Sequence, residues 1–193
     1  MVCVQVAGDR VRHLAHFAPV WQTSSPGYAV VGPRAQHFVD TAWLRFPHGL
    51  CARSVKIHQE HLEIRTAGKG LTNITERLRY VVSAAGVQTG LLTVFVCHTS
   101  ASLLIQENAD PAVLRDLERF FADLVPESRR WEHDDEGPDD MPAHVRSALT
   151  QTSQVIPVSQ GRLVLGTWQG VYLWEHRSRG HLRRLVAHVQ GTS

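Results

Sequence analysis

The sequence predicts a compact single α+β domain in which a mixed or antiparallel sheet packs with two to three helices. Three observations predict this fold class: helix and strand patterns alternate early, glycine-separated strands follow one another in the last third, and regular patterning begins at Val55. Helices followed by a run of neighbouring strands are typical of α+β proteins rather than of a doubly wound parallel sheet. We therefore expect one domain over residues 55–193.

Capping signals and apolar spacing place the elements of the first half. Residues 61–66 alternate as a strand does. Asn73 with Glu76 three residues later forms a capping-box pattern, which predicts a helix that ends at Gly86. Two further apolar stretches are predicted as strands: residues 91–97 and 101–106.

The second half contains two more helix starts and then strands. Asp110 followed by Pro111 predicts a helix whose buried stripe is Leu114, Leu117, Phe121 and Leu124. A shorter helix is predicted from Asp140. Glycines separate the four strands predicted after it: residues 154–158, 162–165, 171–174 and 182–189.

Residues 1–54 differ in composition from the rest of the chain. They contain no Ile, Glu, Lys or Asn, and four prolines are scattered through their short apolar fragments. We expect an N-terminal extension that is disordered or that arises from a misassigned start codon. An Arg-bearing, acid-poor leader also partly fits an organelle transit peptide, so that alternative stays open.

The charge distribution argues against several function classes. The net charge is +2, but residues 1–54 carry +3 and residues 55–193 carry −1. No Lys/Arg-rich run is present, so no nucleic-acid partner is expected. No apolar window is long enough to cross a membrane. Three cysteines without CxxC spacing predict neither a disulfide framework nor a zinc ribbon, which leaves a reducing, cytoplasmic compartment as the expectation.

The first candidate for chemistry is the string HTSAS that follows the strand 91–97. His98 closes that strand, where functional groups often emerge from a buried sheet. Thr99, Ser100 and Ser102 supply hydroxyls suited to a phosphate or to a metal-bound group. The alternative is a strand-end histidine followed by ordinary turn hydroxyls.

The second candidate is the acidic segment 131–144, which contains two imidazoles. Asp140 lies four residues before His144, so a helix that starts at Asp140 places both groups on one face. With His133, these residues suit Zn²⁺ or another borderline ion, whereas carboxylates with water suit Mg²⁺. The alternative is a solvated acidic loop without a ligand.

The third candidate is GTWQGVYLWEHR at residues 166–177. Trp168 and the two aromatic residues of the following strand suit stacking on a flat ligand, and Arg177 suits a phosphate. His176 lies on the same face of the strand as Trp174. The alternative is aromatic core packing with a surface pair of Glu175 and Arg177.

Three strings together resemble a known family. HTSASLLIQENADP at 98–111, EHDDEGPDDMPAH at 132–144 and GTWQGVYLWEHR at 166–177 resemble the hallmark segments of the YjbQ family. The resemblance covers residues 55–193. It implies a compact α+β domain that forms a homotrimer, and a secondary thiamine-phosphate synthase activity. That activity joins a hydroxymethylpyrimidine diphosphate to a thiazole phosphate and releases pyrophosphate.

The resemblance also implies which residues would act together at one His-rich site that binds a divalent metal ion, whether Mg²⁺, Zn²⁺ or Mn²⁺. The implied metal ligands are His98, His144 and His176, with His133 and Asp140 as further candidates. The implied catalytic residues are His98, His133 and Glu107. The residues implied for substrate binding are Thr99, Ser100, Ser102, Thr167, Trp168 and Arg177. Two alternatives stay open: a metal-dependent enzyme with another phosphorylated or heteroaromatic substrate, and a non-catalytic ligand- or metal-binding protein.

Overall fold

Two antiparallel sheets and three helices form residues 54–193, the part of the chain that the structure, a computed structural model, describes. The predicted extension, residues 1–54, lies outside the described residues apart from Ser54. In chain order the elements are β1 (Val55–Arg65), β2 (Gly70–Asn73), α1 (Thr75–Ala85), β3 (Thr89–Val96), β4 (Ala101–Glu107), α2 (Pro111–Leu124), α3 (Asp140–Leu149), β5 (Ser153–Ser159), β6 (Arg162–Leu163), β7 (Gln169–Glu175) and β8 (Leu182–Thr192).

The sheets have simple antiparallel topologies. The larger sheet has the strand order β1-β8-β3-β5-β6, and the smaller has the order β2-β7-β4. In the smaller sheet Ala101 lies opposite Glu175 and Glu107 lies opposite Gln169. This architecture confirms the predicted α+β class.

The core lies between the inner face of the larger sheet, the smaller sheet and α1. Alternate residues of β3 are buried, among them Leu92 and Val94. α1 contributes Leu78, Val81 and Val82, which are at most 1% exposed. Complete burial of such a side chain stabilises the fold by about 1.5–3 kcal/mol, so this cluster holds both sheets in place.

The first helix starts differently from the sequence prediction. Asn73 belongs to β2, and Ile74 occupies the N-cap position without a side-chain cap. The Asn73 side chain still accepts a hydrogen bond from the Thr75 N–H at 2.9 Å. The Thr75 hydroxyl is buried and accepts the Val171 N–H, which ties the helix start to β7.

The second helix starts as predicted but buries less than predicted. Asp110 caps it by accepting the Ala112 N–H at 2.7 Å, and Pro111 follows at the first helical position. None of its residues is fully buried, and Leu124 of the predicted stripe is 54% exposed. No helix of residues 54–193 has the length and apolar character needed to cross a membrane.

The two leucines at the centre of β3 provide a matched test of the core. Leu92→Ala should lower the free energy of unfolding by about 2–5 kcal/mol, because Leu92 is fully buried and its truncation leaves a cavity. Leu91→Ala should change it by less than about 1 kcal/mol, because Leu91 points to the other face and is 39% exposed. Chemical denaturation of both variants measures the difference. Equal losses would contradict this account of the core.

Candidate metal centre

The start of α3 and the loop before it bring two histidines and an aspartate together. Asp140 begins α3 and is 1% exposed, and His144 follows one turn later on the same face. The Ser147 hydroxyl donates to the Ala101 carbonyl at 3.1 Å, which fixes α3 against β4. His133 belongs to the loop that connects α2 to α3.

The Asp140 Oδ2 atom is the point at which the three side chains meet. His133 Nε2 lies 3.0 Å from it, and His144 Nε2 lies 3.3 Å from it. One ligand atom from each residue lies within 4.8 Å of the others. We call these residues, His133, Asp140 and His144, the HDH cluster.

A backbone carbonyl fixes the proton position on one imidazole. His144 Nδ1 lies 3.1 Å from the Thr99 carbonyl oxygen, which only accepts hydrogen bonds. The proton of the neutral ring therefore lies on Nδ1, and the Nε2 lone pair faces Asp140. This is the tautomer and the type of outer partner that metal-binding histidines normally have.

Arg177 holds the other oxygen of Asp140. Its Nη1 donates to Asp140 Oδ1, its Nε donates to Asp139 Oδ2 at 3.2 Å, and its Nη2 donates to the Glu136 carbonyl at 2.8 Å. All three guanidinium nitrogens are thus engaged with the acidic loop. Arg177 therefore orients Asp140, and its contacts with the acidic loop use three of its five N–H donors.

Asp139 anchors the same loop to the end of β7. Its Oδ2 accepts the Ser178 N–H at 2.7 Å as well as the Arg177 Nε. Burial favours the neutral form of the carboxyl group, but these hydrogen bonds and the Arg177 charge outweigh it and hold the pKa of Asp139 below its usual value. Asp139 therefore stays ionised and keeps Arg177 in place.

The donors of the HDH cluster fit a borderline divalent ion. Two imidazole nitrogens and one carboxylate oxygen are ligands that Zn²⁺ accepts at catalytic sites, with the remaining position open. The side chains of His133 and His144 are 48% and 33% exposed, so the open side faces solvent. Mg²⁺ prefers oxygen ligands and water, which this set supplies less well.

His98 lies outside the HDH cluster and acts as a hydrogen-bond acceptor. Its Nε2 accepts the Arg184 N–H at 2.8 Å, which places the ring proton on Nδ1. Partial burial, followed by the charges of Arg183 and Arg184, lowers the pKa of His98. The neutral ring therefore offers a hydrogen-bond donor, Nδ1–H, and no free lone pair.

His176 also lies outside the HDH cluster, inside the core. It is fully buried, its Nε2 lies 2.8 Å from the Ser102 hydroxyl, and its ring lies beside that of Trp174. Burial, followed by the charge of Arg146, lowers the pKa of His176 to about 3. The imidazole is therefore neutral, and the Ser102 hydroxyl predicted for a phosphate is buried against it.

The predicted hydroxyl segment contributes through its backbone. The Thr99 carbonyl accepts from His144, and the Ser100 carbonyl accepts from the His176 N–H and from Arg183 Nη2, both at 3.3 Å. These bonds connect the segment to α3, to the residue that follows β7 and to β8. Its main chain thus positions the side chains around the HDH cluster.

Glu107, Thr167 and Trp168 lie at the opposite end of the smaller sheet. Glu107 and Trp168 are near the Gln169 end of β7, whereas Arg177 follows the Glu175 end. Seven residues of extended strand span roughly 20 Å. Within one chain the structure therefore separates these three predicted residues from the HDH cluster.

The alternative interpretation of Glu175 and Arg177 as a surface pair is wrong, because Glu175 is fully buried. Its carboxylate accepts from Arg183 Nε at 2.7 Å, from the Thr66 hydroxyl at 2.8 Å and from the Arg177 N–H at 3.0 Å. Burial favours its neutral form, but these hydrogen bonds outweigh burial and lower the pKa of Glu175. Sequence reasoning missed the ion pair between Glu175 and Arg183, because Arg183 lies on another strand, β8.

Sequence reasoning also missed a pocket of about 440 Å³ beside the HDH cluster. Its lining includes Arg129, Arg130, Trp131, His133 and Met141. The Arg129 guanidinium carbon stacks 4.7 Å from the centre of the Trp131 ring. The string RRWEH at 129–133, in which two arginines and a tryptophan precede a histidine, was the available signal.

Comparison with known proteins places the chain in a family. The family model described as "UPF0047 protein YjbQ-like" matches residues 60–192. The chain belongs to the YjbQ family. The match covers the HDH cluster, the neighbouring pocket and both ends of the smaller sheet.

Individual YjbQ relatives and solved structures agree with this assignment. A UPF0047 protein of Synechocystis is 62% identical over 72% of this chain and 96% of its own length. The UPF0047 protein YjbQ of Escherichia coli O157:H7 is 44% identical over 69% of this chain and 98% of its own length. The crystal structure of a protein of unknown function from Sulfolobus solfataricus matches 72% of this chain and 99% of its own, with a TM-score of 0.67 at 25% identity.

The buried neutral His176 predicts a specific pH dependence of stability. Its folded pKa of about 3 lies below the usual 6.5, so the unfolded chain binds a proton that the folded chain does not bind between these values. Stability should therefore fall as the pH drops from about 6.5 towards 3, by up to about 1.4 kcal/mol per pH unit from this group. Denaturation of the wild type and of His176→Gln across this range measures the difference in slope.

The matched control for this pH series is His61→Gln, because His61 is exposed on β1. We expect His176→Gln to flatten the dependence below pH 6.5 and His61→Gln to leave it unchanged. Identical slopes in all three proteins would show that His176 is not the group responsible.

Proposed function

We propose that this chain is a divalent-cation-dependent enzyme that acts on a phosphorylated substrate at the HDH cluster. The observation that carries the proposal is the convergence of His133 Nε2 and His144 Nε2 on Asp140 Oδ2, with the His144 lone pair directed inwards by the Thr99 carbonyl. Such an open three-ligand set leaves room for a substrate oxygen. A bound cation would supply charge stabilisation for a departing phosphate or diphosphate.

The residues of the chain have distinct roles in this proposal. His133, Asp140 and His144 hold the cation, and Arg177 orients Asp140 through its second oxygen. His98 offers its Nδ1–H to an oxygen of the substrate. His98 and His176 are not metal ligands in this proposal, because His98 Nε2 already accepts the Arg184 N–H and His176 is buried against Ser102.

For the specific reaction we propose the condensation that the family resemblance implies. A hydroxymethylpyrimidine diphosphate would lose pyrophosphate as its methylene carbon forms a bond to the nitrogen of a thiazole phosphate. The leaving pyrophosphate is the charged group that most needs a cation and fixed donors. The pocket beside His133, with Trp131 in its wall, supports binding of a substrate that has a flat ring.

A non-catalytic metal-binding role is a second candidate, and one observation favours it. Among the described histidines next to the site, His98 has its basic nitrogen engaged and His176 is buried. If His133 binds the cation, no imidazole of this group remains as a general base. A purely metal-binding protein needs no such base, and neither does the proposed condensation, in which the thiazole nitrogen attacks through its lone pair. The observation therefore favours the metal-binding role only over a metal-dependent reaction that must remove a proton from water or from a substrate hydroxyl.

We also propose that the chain assembles as a homotrimer in the cytoplasm. The amphipathic helix α2 supports assembly, because none of its residues is fully buried and Phe120 and Leu124 are 60% and 54% exposed. Association would cover this apolar surface. The exposed free thiol of Cys97 is compatible with a reducing compartment.

Cation binding gives the first test. Protein purified without a His-tag should bind about one Zn²⁺ per chain, and His144→Ala should weaken that binding by at least about tenfold, because a directed imidazole ligand is lost. His98→Ala is the matched control and should retain binding, since His98 lies outside the HDH cluster. Metal titration by calorimetry measures all three proteins. Equal binding by His144→Ala and wild type would rule out this ligand set.

Pyrophosphate release gives the second test. With both substrates and a divalent cation, the wild type should release pyrophosphate, and Asp140→Asn should reduce the rate by at least about a hundredfold, because the central carboxylate charge is lost. A coupled pyrophosphate assay measures the rate. Glu132→Gln, which changes an exposed acidic side chain in the same loop, is the control. Zinc binding without any release would favour the metal-binding candidate.

A further inference from the structure

The pocket beside the HDH cluster is lined by two positively charged side chains that have no role in the proposed function described above. Arg129 and Arg130 both line it, together with His133, so the pocket and the cluster share a wall. Within residues 54–193 neither arginine forms an ion pair with a carboxylate, in contrast to Arg177. They are therefore the guanidinium groups available for a ligand on this side of the cluster.

Stacking on Trp131 orients one of these arginines. The Arg129 guanidinium carbon lies over the Trp131 ring, 4.7 Å from its centre, which is a cation–π contact. This contact with the ring uses none of the guanidinium N–H groups as hydrogen-bond donors to a carboxylate, and a guanidinium can bind an oxyanion through two parallel N–H bonds.

Trp131 contributes its ring to this part of the pocket. Its indole Nε1 is buried, so a ligand in the pocket would meet the ring and the neighbouring guanidinium groups, not the indole N–H.

The acidic surroundings make anion binding depend on the cation. Glu127 lines the pocket but is paired with Lys69, whereas Asp134 lines it without an ion-pair partner among residues 54–193. Asp140 adds its charge through the shared wall. An anion is therefore held best when a cation at the HDH cluster offsets these carboxylates.

We propose that Arg129 and Arg130, beside the Trp131 ring, form the subsite for the phosphate or diphosphate group of the substrate. This inference rests on the proposed function, since the group would lie between the two arginines and the cation at the HDH cluster. In this subsite Arg129 and Arg130 bind the phosphate group, while Arg177 keeps its contacts with the acidic loop.

The probe for this subsite is inorganic pyrophosphate, and the measurement is equilibrium dialysis of the full chain with and without one equivalent of Zn²⁺. We expect the Arg129→Ala/Arg130→Ala variant to bind pyrophosphate at least about tenfold more weakly, because charge-assisted bonds are lost. Its zinc stoichiometry should equal that of the wild type.

The matched control is Arg115→Ala/Arg119→Ala, which removes the same charge from exposed positions of α2. It should leave pyrophosphate binding unchanged. Equal pyrophosphate affinity in the Arg129→Ala/Arg130→Ala variant and the wild type would overturn the inference, as would a wild type that binds no pyrophosphate. Binding that depends on these arginines but not on zinc would support the subsite and contradict the proposed function.

Discussion

The buried carboxylate of Asp140 is the interaction on which the rest of the site depends. It is 1% exposed, and its two oxygens face in different directions: Oδ1 accepts from Arg177, and Oδ2 faces His133 and His144. A buried charge is tolerated only when it is paired and hydrogen-bonded. The arginine supplies that pairing, so the second oxygen remains available to the imidazoles or to a cation between them.

The end of β7 connects this carboxylate to the core. Residues 174–177 alternate in direction: Trp174 and His176 pack against each other in the interior, while Glu175 and Arg177 bind partners from other elements. Glu175 is held by Arg183 and Thr66, and Arg177 by Asp139 and Asp140. The extended backbone at the end of β7 thus places the ion pair of Glu175 with Arg183 in the core and that of Arg177 with Asp140 at the HDH cluster.

The sequence predicted how residues of one helix or strand are placed relative to each other, but it did not predict contacts between different elements. Asp140 and His144 were correctly placed on one face, because helical spacing is readable from four residues. The family and the α+β class were also predictable, because long motifs and strand alternation are local patterns. Contacts across elements were not predictable, such as the one between Thr99 and His144, which lie 45 residues apart.

In one case, two residues that are close in the sequence were expected at the same site but lie far apart in the structure. Trp168 and Arg177 belong to one motif, yet the extended strand β7 lies between them, so they occupy opposite ends of the smaller sheet. Conversely, Arg129 was not among the candidate residues and Trp131 was only the first residue of the acidic segment 131–144, yet the fold shows that both line a pocket with His133. The family resemblance implied that His98 and His176 belong to the same metal site as His144. In the structure, however, His98 Nε2 accepts the Arg184 N–H, and His176 is buried against Ser102.

Anomalous diffraction at the zinc absorption edge, from crystals of untagged protein grown with Zn²⁺, tests the central claim most directly. The account predicts one anomalous peak per chain, about 2.0–2.2 Å from His133 Nε2, His144 Nε2 and Asp140 Oδ2, with Arg177 still bound to the other Asp140 oxygen. A peak at His98, or no peak at the HDH cluster in zinc-containing crystals, would contradict it.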